Sequence, residues 1–331
     1  MIETRFTRMM GIARPIVQGG LAHLAYAGLA AAVSNAGGLG QITVASFPDR
    51  EALREEIRLC KSLTDKPFSL NFALGMRPLN DLLDLALEEG VRCVSFTAGN
   101  PEAMIRQIKN SGLENDVKIL VLVAGVRAAL KAESLGAHTV IAVGYEGGGH
   151  LGRDDIGSLV LIPRILDAVK IPVLASGGIG DARGYAAALA LGAEGIEMGT
   201  RFVATQECIA HPNYKQALVA AQETHTAVIE RSIGKPARVL QGEWASKVAA
   251  LEAAIPPPTI DELLPLIAGA RNKRAALEGQ LDEGFVWAGQ VAGLIHDVPT
   301  VQELLDRFTS GAEEIITGLA AKLTAGPVNR D

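Results

Sequence analysis

Eight short apolar runs recur along roughly the first 200 residues of this 331-residue chain. Each run is apolar on consecutive residues, which is typical of parallel strands buried on both faces. They start roughly 21 to 33 residues apart, near Pro15, Leu39, Phe68, Cys93, Lys118, Thr139, Pro172 and Gly195. Helical patterns fill the gaps, at 49–61, 79–89, 101–110, 127–135, 158–169 and 182–191. The sequence therefore predicts a strand–helix unit repeated eight times.

Eight such units within about 200 residues favour a closed (β/α)₈ TIM barrel, with an open doubly wound sheet as the second choice. Gly90, Gly136 and Gly192 stand where predicted helices end, as expected for left-handed caps. The segment NAGG, residues 35–38, is expected to close the first barrel helix and to have a structural role.

The pattern changes after Phe202, where residues 203–298 are mostly helical and are interrupted by IPPPTID. The last periodic segment, 300–323, begins with the capping-box sequence TVQE and is expected to return as the eighth barrel helix. We therefore expect a barrel made of residues 1–202 plus 299–331, with a helical insertion after strand eight, residues 203–298, as a substrate-side lid.

Composition argues against several function classes. The net charge is -6, aromatic residues make up only 4%, and no cluster of Lys and Arg stands out, so we expect no nucleic-acid partner. The start of the chain has no continuous apolar segment and no apolar run approaches membrane-spanning length, so we expect neither a signal peptide nor a membrane helix. The three cysteines, Cys60, Cys93 and Cys208, are far apart, which fits a reducing cytoplasm.

Two glycine-containing segments follow the seventh and eighth predicted strands. In barrels, the loops at these two places often hold a phosphate group. Glycine lets main-chain N–H groups approach an anion, and a helix N-terminus adds a favourable dipole. The sequence therefore predicts a phosphate site formed by Ser176, Gly177, Gly178, Met198, Gly199 and Thr200.

The longest loop at the predicted active face follows strand six and contains GYEGGGH, residues 144–150. We interpret Glu146, Gly148 and Gly149 as part of a platform for a flat ring. His150 beside it can donate, accept or carry charge near neutral pH, and it is the predicted catalytic residue. The other histidines show no ligand spacing, so no catalytic metal is expected.

Gly147, Gly149 and Gly152 also match the G-x-G-x-x-G pattern. That fingerprint belongs to the first strand–helix unit of a dinucleotide fold and needs an acidic residue at the end of the next strand. Here the acid at the corresponding distance is Asp167, within a predicted helix, so we reject a dinucleotide site.

Gln18, Gly19 and Gly20 end the first strand, and Asn71 lies within the third. Two interpretations of these polar residues stay open. They could hydrogen-bond the edge of a heteroaromatic ring, or they could cap the ends of the strands.

Together these motifs resemble the nitronate monooxygenase family, also called 2-nitropropane dioxygenase-like, in the superfamily of the flavin-dependent enoyl-ACP reductases. The resemblance covers nearly the whole chain, and its most specific part is 171–202. Its carriers are PIVQGG, SNAGGLG, LNFAL, EGGGHLG, IPVLASGGIGDARGYAAALALGAEGIEMGTRF and HPNYK.

The resemblance implies FMN, with its phosphate on Gly177, Gly178, Gly199 and Thr200, and its ring against residues 18–20 near Asn71. It also implies that His150 is the active-site histidine. Two departures stand out: Gly20-Leu21 replaces the family's frequent Pro-Met, and Lys118 lies at the opposite end of strand five from the family's frequent lysine.

The leading hypothesis is an FMN-dependent oxidoreductase that oxidises alkyl nitronates with O₂. The alternative is an NAD(P)H-dependent flavin reductase of enoyl thioesters or quinones, and a non-catalytic flavin- or sugar-phosphate-binding barrel is a third interpretation. Expected partners are a small-molecule substrate with O₂ or NAD(P)H, and a homodimer is compatible with the sequence.

Overall fold

The computed structural model describes residues 2–75 and 77–323. The strands in these ranges are β1 (Ile16–Gln18), β2 (Gly40–Thr43), β3 (Phe68–Ala73), β4 (Cys93–Thr97), β5 (Lys118–Val123), β6 (Thr139–Val143), β7 (Gly149–His150), β8 (Val173–Ser176), β9 (Ile196–Met198), β10 (Thr226–Ile229) and β11 (Ala237–Leu240).

The helices in the same ranges are α1 (Arg5–Met10), α2 (Ala27–Asn35), α3 (Arg50–Leu63), α4 (Asn80–Glu88), α5 (Glu102–Asn110), α6 (Val126–Leu135), α7 (Ser158–Leu166), α8 (Ala182–Ala190), α9 (Thr200–Val203), α10 (Pro212–Ala220), α11 (Glu243–Glu252), α12 (Ile260–Ile267), α13 (Gly269–Glu278) and α14 (Val301–Leu323). Two short 3₁₀ turns lie at Val44–Ser46 and Gln290–Leu294.

Eight strands form one parallel sheet in the order β1-β9-β8-β6-β5-β4-β3-β2. A parallel bridge between Val17 and Leu39 joins β1 to β2 and closes the sheet into a barrel. Every residue of β2, β6 and β8 is buried, as expected for strands covered on both faces. The predicted TIM barrel is confirmed, and each predicted strand start lies within one residue of an observed strand.

The helices predicted between residues 49 and 191 correspond to α3 to α8, which alternate with the strands. Asp49 begins α3 by accepting a hydrogen bond from the N–H of Ala52, a typical N-cap. Gly136 ends α6 with a φ of 100°, the left-handed conformation predicted for it. Local capping signals therefore place these helix ends correctly.

A short helix that the sequence analysis did not predict, α1, covers the amino ends of the barrel strands. Phe6 and Met10 of α1 are buried in one apolar cluster with residues in or next to six barrel strands. Those residues are Val17, Leu39, Cys93, Leu120, Ile141 and Leu174. Because this end of the barrel is filled, the carboxyl ends of the strands are where a ligand can enter.

The segment after β9 contains α10 to α13 and, besides these helices, the strands β10 and β11. β10, β11 and the two-residue β7 form a small antiparallel sheet. This segment has an apolar cluster of its own, which includes Val239, Trp244, Leu263 and Phe285. β7 comes from the loop after β6, so the small sheet attaches this segment to the active face of the barrel.

The chain then returns to the barrel through α14, which packs against α8 and α2. The N–H of Thr300 donates to the Glu303 carboxylate, and the N–H of Glu303 donates to Thr300 Oγ1, so the predicted capping box is confirmed. Residues 324–331 of the predicted barrel segment 299–331 lie outside the described residues. None of the helices within 2–75 and 77–323 is long and apolar enough to cross a bilayer.

Candidate functional site

Two neighbouring barrel strands, β8 and β9, end in the glycine-containing segments singled out from the sequence. Ser176 of β8 pairs in register with Glu197 of β9, so the two segments leave the sheet side by side. We call them together the glycine cradle, which consists of Ser176, Gly177, Gly178, Met198, Gly199 and Thr200.

The main chain of the glycine cradle carries donors that the protein itself does not use. Gly177 and Gly178 have φ values of 80° and 78°, a conformation that glycine adopts at no steric cost. Among the described residues, the N–H groups of Gly178 and Gly199 have no hydrogen-bond acceptor. Main-chain N–H groups exposed in turns bind anions, so the cradle is suited to a phosphate ester.

The loop after β6 packs closely on the cradle. The N–H of Gly144 donates to the carbonyl of Ser176 over 3.0 Å. A Cβ placed on Gly177 would lie 2.8 Å from the Gly144 oxygen, so no larger residue fits. Thr200 Oγ1 accepts a hydrogen bond of 2.9 Å from the N–H of Gly289, which belongs to the segment before α14. The cradle is therefore held between the loop after β6 and residue 289.

The side chain of Glu146, in the same loop, faces the start of α7. Its carboxylate accepts hydrogen bonds of 3.0 Å from the N–H and from Oγ of Ser158. A Cβ on Gly178 would lie 3.5 Å from this side chain, so Glu146 borders the cradle. Gly148 packs on residues 288–289, and Gly149 has a φ of 77°. In this structure Glu146 caps α7, and its predicted contact with a cofactor stays a prediction.

His150 is held by the small antiparallel sheet, where it pairs with Ala237 of β11. Its ring centroid lies 5.4 Å from that of Trp287, and its Nε2 lies 3.8 Å from Oε2 of the buried Glu230. The His150 side chain keeps 49% of its surface exposed. An aromatic ring and a carboxylate therefore restrain His150, while much of its imidazole stays accessible to a ligand.

The predicted ring-binding residues at the end of β1 are brought together with Asn71. A Cβ on Gly20 would lie 2.3 Å from Oδ1 of Asn71, so these two residues are in direct contact. Asn71 Nδ2 donates to Ser95 Oγ, and Ser95 Oγ donates to Gln41 Oε1. Gln41 in turn exchanges hydrogen bonds with Gln18, whose Oε1 accepts from the Gln41 N–H at 2.9 Å.

This network makes the upper part of the barrel interior polar. It supports the interpretation that Gln18 and Asn71 link strand ends to one another, and their contact with a heteroaromatic ring stays a prediction. Asn71 Oδ1 accepts no hydrogen bond from any residue in the described ranges, so it can accept one from a ligand.

Glu197 lies inside the barrel beneath Gly19. The residue is only 5% exposed, and a Cβ on Gly19 would lie 3.3 Å from its carboxyl carbon. Its Oε2 accepts a hydrogen bond of 2.9 Å from Ser176 Oγ. Burial raises the pKa of this carboxyl group to about 7, and the Ser176 hydrogen bond opposes the increase only in part. Both the neutral and the charged form of the Glu197 carboxyl group are therefore populated near neutral pH.

Sequence reasoning missed three residues that the structure places at the site. Glu197 had a signal, because a carboxylate inside the apolar strand GIEM is unusual. Glu230 and Trp287 had none, since each reaches His150 only through the pairing of distant segments.

The chain is similar to known proteins along nearly all of its length. Residues 3–84 and 77–311 match the family described as nitronate monooxygenase. A probable nitronate monooxygenase from Staphylococcus saprophyticus is 33% identical over 95% of this chain and 99% of its own.

Two further proteins are similar over almost their whole length. A (3aS,4S,5R,7aS)-5-hydroxy-7a-methyl-1-oxo-octahydro-1H-indene-4-carboxyl-CoA dehydrogenase from Rhodococcus jostii is 34% identical over 97% of this chain and 98% of its own. The structure of FabK from Thermotoga maritima aligns with a TM-score of 0.89 and 40% identity, and covers 97% of this chain and all of its own.

Proposed function

Because this chain belongs to the nitronate monooxygenase family and is a flavin-dependent oxidoreductase, we propose that it binds FMN and oxidises alkyl nitronates with O₂. The observation that carries the proposal is the glycine cradle with unused N–H donors, beside a loop that presents a half-exposed histidine.

The residues present fit FMN. The phosphate of FMN needs several donors, and the N–H groups of Gly178 and Gly199 are unpaired among the described residues. The flavin ring needs a surface without bulky side chains and a polar group at its edge. Gly19 and Gly20, with Asn71 Oδ1 beside them, supply both.

When bound, FMN would accept electrons from the substrate and pass them to O₂. The chain's own contribution is to bind and orient. We propose that protonated His150 attracts the negatively charged nitronate, and that in its neutral form His150 removes the α-proton of a nitroalkane at a ring nitrogen. Trp287 and Glu230 hold the imidazole in position for either task.

We also propose that residues 203–298 act as the substrate-side lid. Gly289 donates to Thr200 of the cradle, and β11 pairs with the strand that holds His150. Val291 and Leu294 pack against Gly180, in the loop after β8. Each of these contacts joins the segment to the carboxyl ends of the barrel strands, where a lid would exclude water.

The experiment that tests the role of His150 compares His150→Ala with wild type. General acid–base help is typically worth about 10²- to 10⁴-fold, so we expect O₂ consumption with a neutral nitroalkane to fall by about that factor while FMN stays bound. With the nitronate, which has already lost its α-proton, we expect O₂ consumption to fall because the anion is attracted less strongly. His296→Ala, at an exposed histidine, is the matched control and should behave like wild type. Unchanged turnover in His150→Ala would remove its catalytic role.

A second candidate is an NAD(P)H-dependent reductase, which the 40% identity to FabK favours. The small-molecule partner would then be a pyridine nucleotide together with an acceptor such as an enoyl thioester. Mixing the FMN-loaded protein with NADH or NADPH without oxygen separates the candidates. Rapid bleaching of the flavin supports the reductase, whereas O₂ consumption with nitronate alone supports the monooxygenase.

A further inference from the structure

Two acidic side chains are buried in the described part of the chain, Glu197 and Glu230. Glu230 faces His150, but Glu197 has no role in the mechanism proposed above. It is the middle residue of β9, directly before Met198 of the glycine cradle, with Gly19 on one side and Ser176 on the other.

The surroundings of Glu197 are polar but uncharged. Ser176 faces it from β8, and the main chain of Gly19 faces it directly after β1. Elsewhere in the polar part of the barrel interior lie Gln41, Asn71 and Ser95, all neutral and all hydrogen-bonded to one another or to Gln18. The Ser176 hydroxyl can donate to the Glu197 carboxylate or accept from the neutral carboxyl group, so Glu197 has a hydrogen-bond partner in either protonation state.

The buried cations of the described residues are engaged elsewhere. Arg201 donates to Asp297 and to the carbonyl of Ala204, and Arg238 donates to Thr226 and to the carbonyl of Tyr145. Glu197 therefore has no cation that would fix it in the charged form, and a new negative charge nearby would draw a proton to it.

We propose that Glu197 is the proton-exchange group of the flavin site, which binds a proton when the flavin is reduced and releases it when the flavin is reoxidised. The inference rests on the proposed function, since it needs the flavin ring to lie against Gly19. Two electrons and one proton make the ring one charge more negative. The Glu197 carboxylate then takes a proton from solvent at a carboxyl oxygen, so the net charge of the site stays constant. When the two electrons return to O₂, the proton of the ring and the proton of Glu197 balance its reduction to hydrogen peroxide, and Glu197 is again a carboxylate.

Infrared difference spectroscopy of the FMN-loaded protein tests the inference directly. Photochemical reduction without substrate, repeated from about pH 6 to about pH 10, should produce the carbonyl band of a neutral carboxyl group wherever Glu197 is ionised in the oxidised protein. An indicator dye should report an additional proton taken up per flavin. Glu197→Gln should lose both signals, and Glu230→Gln, the matched control at the other buried acid, should keep them.

A second variant serves if Glu197→Gln does not fold. Ser176→Ala removes the donor that stabilises the charged form, so the band should appear over a higher pH range than in wild type. A pH range that does not move in Ser176→Ala would overturn the inference.

The outcomes also separate this inference from the proposed function. Flavin-loaded protein without a band that depends on Glu197 overturns the proton-exchange role and leaves nitronate oxidation untouched. A band that depends on Glu197 in protein that does not oxidise nitronates supports this role and contradicts the proposed reaction. Protein that binds no flavin overturns both, and its visible spectrum shows this before any infrared measurement.

Discussion

Replacing Glu197 by Gln should stabilise the flavin-free protein at alkaline pH and have little effect at acid pH. Burial raises the pKa of the Glu197 carboxyl group from its ordinary 4.5 to about 7. At about 1.4 kcal/mol per pH unit, this difference corresponds to about 3 kcal/mol of folding free energy. Gln has nearly the same shape and never ionises, so it removes this cost.

The sign follows from comparing the folded and unfolded chains. Below about pH 4.5 the carboxyl group is protonated in both states, and ionisation does not affect stability. As the pH rises towards about 7, the unfolded chain ionises first and is favoured. Above about pH 7 the cost is complete, so wild type should lose stability over this range relative to Glu197→Gln.

Urea denaturation of both proteins at about pH 5 and about pH 8.5 measures the effect, since taking the difference between them cancels the titration of other groups. The stability advantage of Glu197→Gln should grow by about 2 to 3 kcal/mol between the two pH values. Growth below about 0.5 kcal/mol would refute the argument that burial controls this carboxyl group.

Glu262→Gln is a control of opposite sign. Hydrogen bonds from the backbone and side chain of Thr259 lower the pKa of the exposed Glu262 carboxyl group. This carboxylate contributes its stability at neutral and alkaline pH and loses it as the pH falls. The advantage seen with Glu197→Gln should therefore be absent in Glu262→Gln.

Three further predictions concern the ligand site. Gly20→Ala would place a Cβ 2.3 Å from Asn71 Oδ1 and displace that side chain, so we expect FMN affinity, measured by fluorescence quenching, to fall by about tenfold or more. Gly28→Ala, whose Cβ meets nothing within 4 Å, should bind FMN normally, and equal affinities in the two variants would contradict the ring site. Trp287→Leu removes the ring beside His150, and since such contacts are worth about 0.5–1.5 kcal/mol, kcat should fall about two- to tenfold with FMN still bound. Inorganic phosphate should raise the apparent Kd for FMN by competing for the cradle, and a Kd independent of phosphate would argue against that site.

The sequence predicted the barrel well because two-sided burial leaves a strong local signal. Runs such as TVIAV and PVLAS are apolar on every residue, and the observed β6 and β8 lie on them. The glycine cradle could be predicted because it directly follows two such runs. Because successive strands of a barrel pair in parallel, β8 and β9 are neighbours, and the segments that follow them lie side by side.

The small antiparallel sheet could not be predicted in the same way. β7 has only two residues, and it pairs with β11, which comes much later in the chain. β10 and β11 have four residues each and lie among helices, so they are too short for an alternating apolar pattern to be detected. The neighbours of His150 depend on this sheet, which is why the sequence singled out His150 without Trp287 and Glu230.

The layer of polar side chains beneath the site follows from the alternation of side chains along a barrel strand. Side chains two residues apart on a strand point to the same face of the sheet. A side chain in the barrel interior near the amino end of a strand is therefore followed, two residues later, by a side chain in the next layer towards the carboxyl end. Three strands change from apolar to polar in this step, from Leu39 to Gln41, from Cys93 to Ser95 and from Leu174 to Ser176.

The lower layer belongs to the apolar cluster sealed by α1, and the upper layer is hydrogen-bonded beneath the ends of β1 and β9. One set of strands thus supplies both the stability of the closed end and the polarity of the open end. Glu197 stands in the upper layer as its only ionisable member among the described residues, in register with Ser176. A charge that appears on a ligand above this layer can therefore change the protonation of one side chain in it, Glu197. Through this side chain the barrel interior takes part in the chemistry of the site.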